Sequence, residues 1–155
     1  SADSILEFFR QWVSNLPAND GTTFHFLLMN PNSEALRYQI CHEKGIDPKN
    51  LDTVQQKIVS NQIEAVQRRI ESAVGMLKTT HPYEQGRLKI RYYNEFTPWW
   101  MYIFDDEKVF LGILKKGERS TNAPVLVMRK NNYYTSIFDA FYYNWMRIWE
   151  NGMEA

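Results

Sequence analysis

The sequence predicts an α/β fold: a central mixed sheet of five strands flanked by helices. Three observations carry this expectation. Segments 4–16, 51–79 and 133–151 repeat apolar residues at steps of three and four, the period of an amphipathic helix. Five short runs, 22–29, 87–94, 99–104, 109–114 and 123–128, are rich in aromatic and β-branched residues and end at turn formers, as strands do. Five strands cannot bury both faces of a sheet without helices above and below, so helices are expected on both sides.

A chain of 155 residues suggests one domain, 1–155, with an N-terminal helix inside 1–20 and a core over 22–151. It is also compatible with excision from a longer protein. Apolar residues make up 44% and charged residues 23%, which excludes a disordered composition. Eighteen basic and eighteen acidic residues cancel, and a domain built to hold a nucleic-acid backbone would carry a basic excess, so nucleic acid is not the expected partner. No apolar run approaches the ~20 residues of a membrane helix. No charged-then-apolar leader opens the chain, and the single Cys41 allows no internal disulfide. A cytoplasmic location without membrane contact is therefore expected.

The elements follow in order. In 4–16, Ile5, Leu6, Phe9, Trp12, Val13 and Leu16 share one helical face, and Pro17 with Asn19-Asp20-Gly21 ends it. The run 22–29 closes on Leu27, Leu28 and Met29, the continuous apolar signature of a central strand. Asn30-Pro31-Asn32-Ser33 breaks it and offers an N-cap to a helix that runs to about Lys44 and stops at Gly45. A strand, a polar turn and a helix N-terminus in succession often hold anions, because free backbone amides point outward there; an ordinary capped turn is the plain alternative.

In 51–79, Val59, Ile63, Val66, Ile70, Ala73 and Leu77 form a single seam, with Asp52 as the cap. The opposite face carries Lys57, Glu64, Arg68, Arg69 and Glu71, a solvated face in which Arg68-Arg69 could hold an anion. Residues 81–86 read as a loop. In 87–94, Leu88, Ile90 and Tyr92 alternate with Arg87, Lys89 and Arg91, a half-buried strand with one basic face. The polar 115–122 stretch is a loop, 123–128 a last strand and 133–151 a closing helix, whose apolar side bears Tyr134, Phe138, Phe141, Trp145, Ile148 and Trp149.

Runs 99–104 and 109–114 flank Asp105-Asp106-Glu107, so an antiparallel hairpin is expected there. Six residues separate Asp105 from Gly112, and Tyr102, Ile103 and Phe104 precede Asp105. This spacing resembles the His-x-Lys-x4-Asp-x6-Gly-Ser-x-Asn motif of phospholipase D-like proteins. Leu27–Arg37, LLMNPNSEALR, resembles the first strand and turn of phospholipase D-like domains in bacterial regulators, and Phe141-x3-Trp145 resembles their final helix. The likeness covers about residues 22–151. It implies a phospholipase D-like half-domain that pairs with a second copy across the motif face, and other domains of a parent regulator as partners.

The catalytic positions of that motif are not filled. Pro98 falls on the histidine, Trp100 on the lysine, Ile113 on the serine and Lys115 on the asparagine. Proline has no nucleophilic side chain and tryptophan supplies no cation, so the resemblance implies a non-catalytic domain, not an enzyme. His25, His42 and His81 fall on different predicted elements with no metal-ligand spacing, and each reads as structural or solvated. No metal and no cofactor is expected.

Two functional classes follow. One is a sensor for a small phosphorylated or nucleotide-like ligand, with Asn30, Ser33, Arg37, Arg91, Trp100, Tyr102 and Asp105 around a vestigial cleft. In that reading the Asn30–Ser33 turn faces the Trp100–Asp105 strand, amides and arginines take the phosphate, and aromatics stack the base. The other is an interaction module that forms a two-fold dimer through the aromatics near Trp99 and Trp100, with no small ligand. A hydrolase with a relocated active site is the minor third.

Overall fold

The structure is a computed structural model that describes residues 9, 11–13, 15–17, 19–131 and 136–155. It is mixed α/β. The single five-stranded sheet expected from the sequence is not formed: the strands divide into two three-stranded sheets.

The first sheet contains β1 (Phe24–Met29), β2 (Leu88–Tyr93) and a two-residue β6 (Met153–Glu154), in the order β1-β2-β6. Strands β1 and β2 run parallel, with Phe24 opposite Leu88 and Met29 opposite Tyr93. The crossover between them holds α1 (Glu34–Lys44), α2 (Thr53–Lys78) and the one-turn α3 (His81–Glu84), where a loop was expected. Strand β6 pairs antiparallel to β2. Gly152 makes its approach possible, because a Cβ there would meet the Tyr92 carbonyl oxygen at 3.0 Å.

The second sheet is an antiparallel meander of β3 (Trp99–Phe104), β4 (Lys108–Ile113) and β5 (Val125–Arg129). Asp105 and Asp106 both take positive φ, 52° and 54°, as in the turns whose twist matches a hairpin. The short 105–107 turn closes the β3–β4 pair at little loop-closure cost. The Pro98 that precedes β3 cannot donate to a ladder.

Helix starts and stops follow local chemistry. Asp52 and Gln55 form a reciprocal capping box on α2, and Ser136 with Asp139 does the same on α4 (Ile137–Glu150). Helix α1 ends at Gly45 in the left-handed region, φ 70°. The expected N-terminal helix is described only in part: Phe9 and residues 11–13 are helical, while Ile5 and Leu6 lie outside the described residues. So does Tyr134 of the closing helix.

One face of the first sheet, Phe24, Phe26, Leu28, Leu88, Ile90 and Tyr92, packs on Ala73, Val74 and Leu77 of α2 and on Phe9 and Val13. A second cluster seats Leu36, Ile40 and Cys41 of α1 against Val59 of α2 and Met29. A third joins Val109, Leu111 and Phe138, with Trp99, Met101, Ile103 and Phe141 around them. Helix α4 thus serves both sheets. Its first half lines the inner face of β3-β4-β5, and Trp145 and Trp149 in its second half stack with His25 of β1.

Candidate functional site

The alternation of the meander decides what its two faces present. Inward go Trp99, Met101 and Ile103 of β3, Val109 and Leu111 of β4, and Met128 of β5. Outward, the pairing sets three rows: Trp100, Gly112 and Val125; Tyr102, Phe110 and Val127; Phe104, Lys108 and Arg129. No described element covers this face. Phe104 is 55% exposed, Val127 54% and Val125 48%. Helices were expected on both sides, and here the outer side is bare.

The aromatic side chains form a surface rather than a set of loose groups. Trp100 and Tyr102 lie 5.1 Å apart between ring centroids, and the Trp100 indole lies across Gly112. Phe104 meets Phe110 edge-on at 5.7 Å, with the Lys108 ammonium 4.8 Å above the Phe110 ring. Burial among these neighbours pushes the Tyr102 hydroxyl above its ordinary pKa. At the hairpin end, Phe104, Asp105, Glu107, Lys108, Arg129 and Lys130 line an open depression of about 430 Å³. Acids occupy its β3 side and Arg129 and Lys130 its β5 side. Lys108 and Arg129 are direct cross-strand partners, a like-charge pair.

The residues expected around a cleft are held as follows. Asn30 is tied to the end of β2: its amide donates to the Tyr93 carbonyl at 2.9 Å and its side-chain nitrogen to Asn94 Oδ1 at 2.8 Å. The Ser33 hydroxyl donates back to the Asn30 carbonyl at 2.8 Å and does not cap α1. Arg37 is exposed and donates to the Pro48 carbonyl at 3.1 Å. Arg91 lies over Trp149, its guanidinium carbon 4.8 Å from the ring centroid, and donates to the Trp149 carbonyl at 2.8 Å. Trp100, Tyr102 and Asp105 belong to the other sheet. Among the described residues no hydrogen bond, ion pair or ring contact joins Asn30, Ser33, Arg37 or Arg91 to Trp100, Tyr102 or Asp105. The structure therefore brings together Asn30 with Ser33, and Trp100 with Tyr102, as separate pairs. Of Trp99 and Trp100, only Trp100 faces outward; Trp99 meets Phe141 edge-on at 6.0 Å.

Among the described residues no group of His, Cys, Asp or Glu could hold a metal ion, and no helix is long and apolar enough to cross a membrane. No family model, curated protein or solved structure matches the chain.

The sequence reading passed over Phe110, Val125 and Val127 as parts of a surface. Their alternation within runs 109–114 and 123–128 was a usable signal, because Phe110 and Gly112 share one parity in the first run, and Val125 and Val127 share one in the second. It carried no direction, since which parity faces out depends on where α4 docks.

Proposed function

We propose that this chain is a non-catalytic interaction domain that pairs with a second copy through the outer face of β3-β4-β5. The observation that carries the reading is that bare face, with Tyr102 and Phe104 exposed on β3 and Val125 and Val127 exposed on β5, either side of Phe110 on β4. Contiguous apolar patches of this kind mark association surfaces on folded proteins.

Charge placement favours a second copy as the occupant. A two-fold axis along β4 would lay β3 of one copy over β5 of the other, with the hairpin ends together. Asp105 of each would then approach Arg129 and Lys130 of its partner, and the apolar rows would meet between them. Twisted sheets packed face to face in this way cross at about 30°. The non-catalytic part rests on Pro98 and Trp100 at the positions where phospholipase D-like enzymes carry their nucleophile and cation.

Sedimentation equilibrium tests the reading with wild type, Tyr102→Asp and Val127→Asp. Wild type should be dimeric at tens of micromolar, roughly the affinity range of a modest interface. Each variant should be monomeric with an unchanged circular dichroism spectrum. A wild type that stays monomeric over that range, or variants that still dimerise, would overturn it.

A further inference from the structure

We propose that His25, Lys89 and Arg91, on the face of the first sheet turned toward α4, form a binding site for a phosphate monoester dianion. His25 and Lys89 are direct partners in the β1–β2 pairing, and Arg91 follows on the same side two residues along. Three basic side chains from two adjacent strands thus share one face. His25 and Lys89 are both exposed, and Lys89 has no hydrogen bond or ion pair among the described residues.

The site is built on a rigid floor. The His25 imidazole stacks on Trp149 at 4.7 Å and 20°, and Trp145 lies near-parallel to both, 5.3 Å from Trp149 and 6.4 Å from His25. Trp149 is buried, and Arg91 is fixed on it by a ring contact and a hydrogen bond to its carbonyl. Two of the three donors are therefore held in place before a ligand arrives, which lowers the ordering cost of binding.

The charges around His25 select the ligand. Burial of the ring, then the Lys89 and Arg91 cations, hold the imidazole below its ordinary pKa, while the Asp106 carboxylate from the β3–β4 turn acts the other way. Glu154 stands opposite Arg91 in β6, and the facing helix adds the rings of Trp145 and Trp149. The imidazole beside these two cations thus holds its proton less readily than an ordinary histidine. A dianion placed there offsets them and lets His25 take up a proton and donate. A phosphate monoester, whose second pKa is about 6, carries close to two charges at neutral pH. A diester carries one and gains less. Base stacking is not part of the site, because the faces of Trp149 are taken by His25, Arg91 and Trp145.

The test is a pH titration of the His25 ring protons by NMR at constant ionic strength, with inorganic phosphate and with dimethyl phosphate. Phosphate should move the His25 midpoint upward, and dimethyl phosphate should move it much less. Lys89→Ala should weaken phosphate binding about tenfold, the loss expected for one charge-assisted hydrogen bond. Lys57→Ala, on the solvated face of α2, should leave it unchanged. Glycerol phosphate and a neutral phosphoserine peptide, titrated alike, separate a small-molecule source from a peptide one by which binds tighter. Equal responses to inorganic phosphate and dimethyl phosphate, an immobile His25 midpoint, or a Lys89→Ala protein that binds as wild type would each overturn the proposal.

Discussion

The Trp100 indole occupies the space that a side chain at Gly112 would need. A Cβ built on Gly112 would lie 2.0 Å from Trp100 Cε2 and 2.4 Å from Nε1, well inside contact distance. The two residues are direct cross-strand partners, so the glycine is what lets the ring lie flat on the sheet. Gly112→Ala should therefore lift the ring from the outer face and destabilise the fold by about 1–3 kcal/mol, the usual cost of overpacking. In a Trp100→Ala background the same change should cost less than about 0.5 kcal/mol. A double-mutant cycle by chemical denaturation reads the difference, and additive costs would contradict the contact.

The inner face should respond very differently from the outer one. Leu111 is 1% exposed beneath α4, within the cluster of Val109 and Phe138. Leu111→Ala should cost about 2–5 kcal/mol, through lost burial and a residual cavity. Val127→Ala, on the open face, should stay near 0.5 kcal/mol when measured on the monomer. Urea denaturation curves with a common slope would establish the contrast.

The hairpin turn carries removable strain. Asp105 and Asp106 both sit in the left-handed region, which costs an ordinary residue roughly 1–2 kcal/mol. Asp106→Gly should raise stability by up to about 1 kcal/mol, because glycine adopts that conformation freely. Asp106→Ala, which loses the same carboxylate without the backbone benefit, should lower it. Thermal melts of the two variants give opposite signs if the turn is as described.

Glu95 should impose an acid limit on the link between α4 and the loop before β3. The Arg147 guanidinium grips its carboxylate through two hydrogen bonds, 2.9 and 3.0 Å. Those bonds first, and the Arg147 charge next, hold the Glu95 carboxyl below its ordinary pKa. A lowered folded-state value means that the contribution is complete above the ordinary value and is lost as pH falls through the folded one. Because both side chains are about half exposed, solvent screens the pair and its contribution is small. Glu95→Gln should be less stable than wild type at neutral pH, and the gap should close on acidification. A gap that is the same at every pH would remove the ion pair as its cause.

Much of this protein is legible along the chain. Strand β3 runs over the expected Trp99–Phe104, and β1, β2, β4 and β5 lie within two residues of the expected limits. The cap at Asp52, the helix start after Ser33 and the stop at Gly45 are where short-range chemistry put them. These features depend on side-chain period, N-cap preference and glycine's left-handed freedom, all of them local. The two-residue β6 has no period to read, and the one-turn α3 is too short to show one.

Tertiary structure alone decided how the strands divide and which surface is left open. Alternation within 109–114 and 123–128 separates Phe110, Gly112, Val125 and Val127 from Val109, Leu111 and Met128 but cannot say which set faces water. That choice is made where α4 docks, placing Phe138 under one parity and Trp149 beside His25. The same docking brings together His25, Lys89, Arg91 and Trp149, which lie as much as 124 positions apart in the sequence. Long-range pairing is settled by the burial that the whole set of helices and strands can achieve at once, and no single stretch of the chain contains that sum.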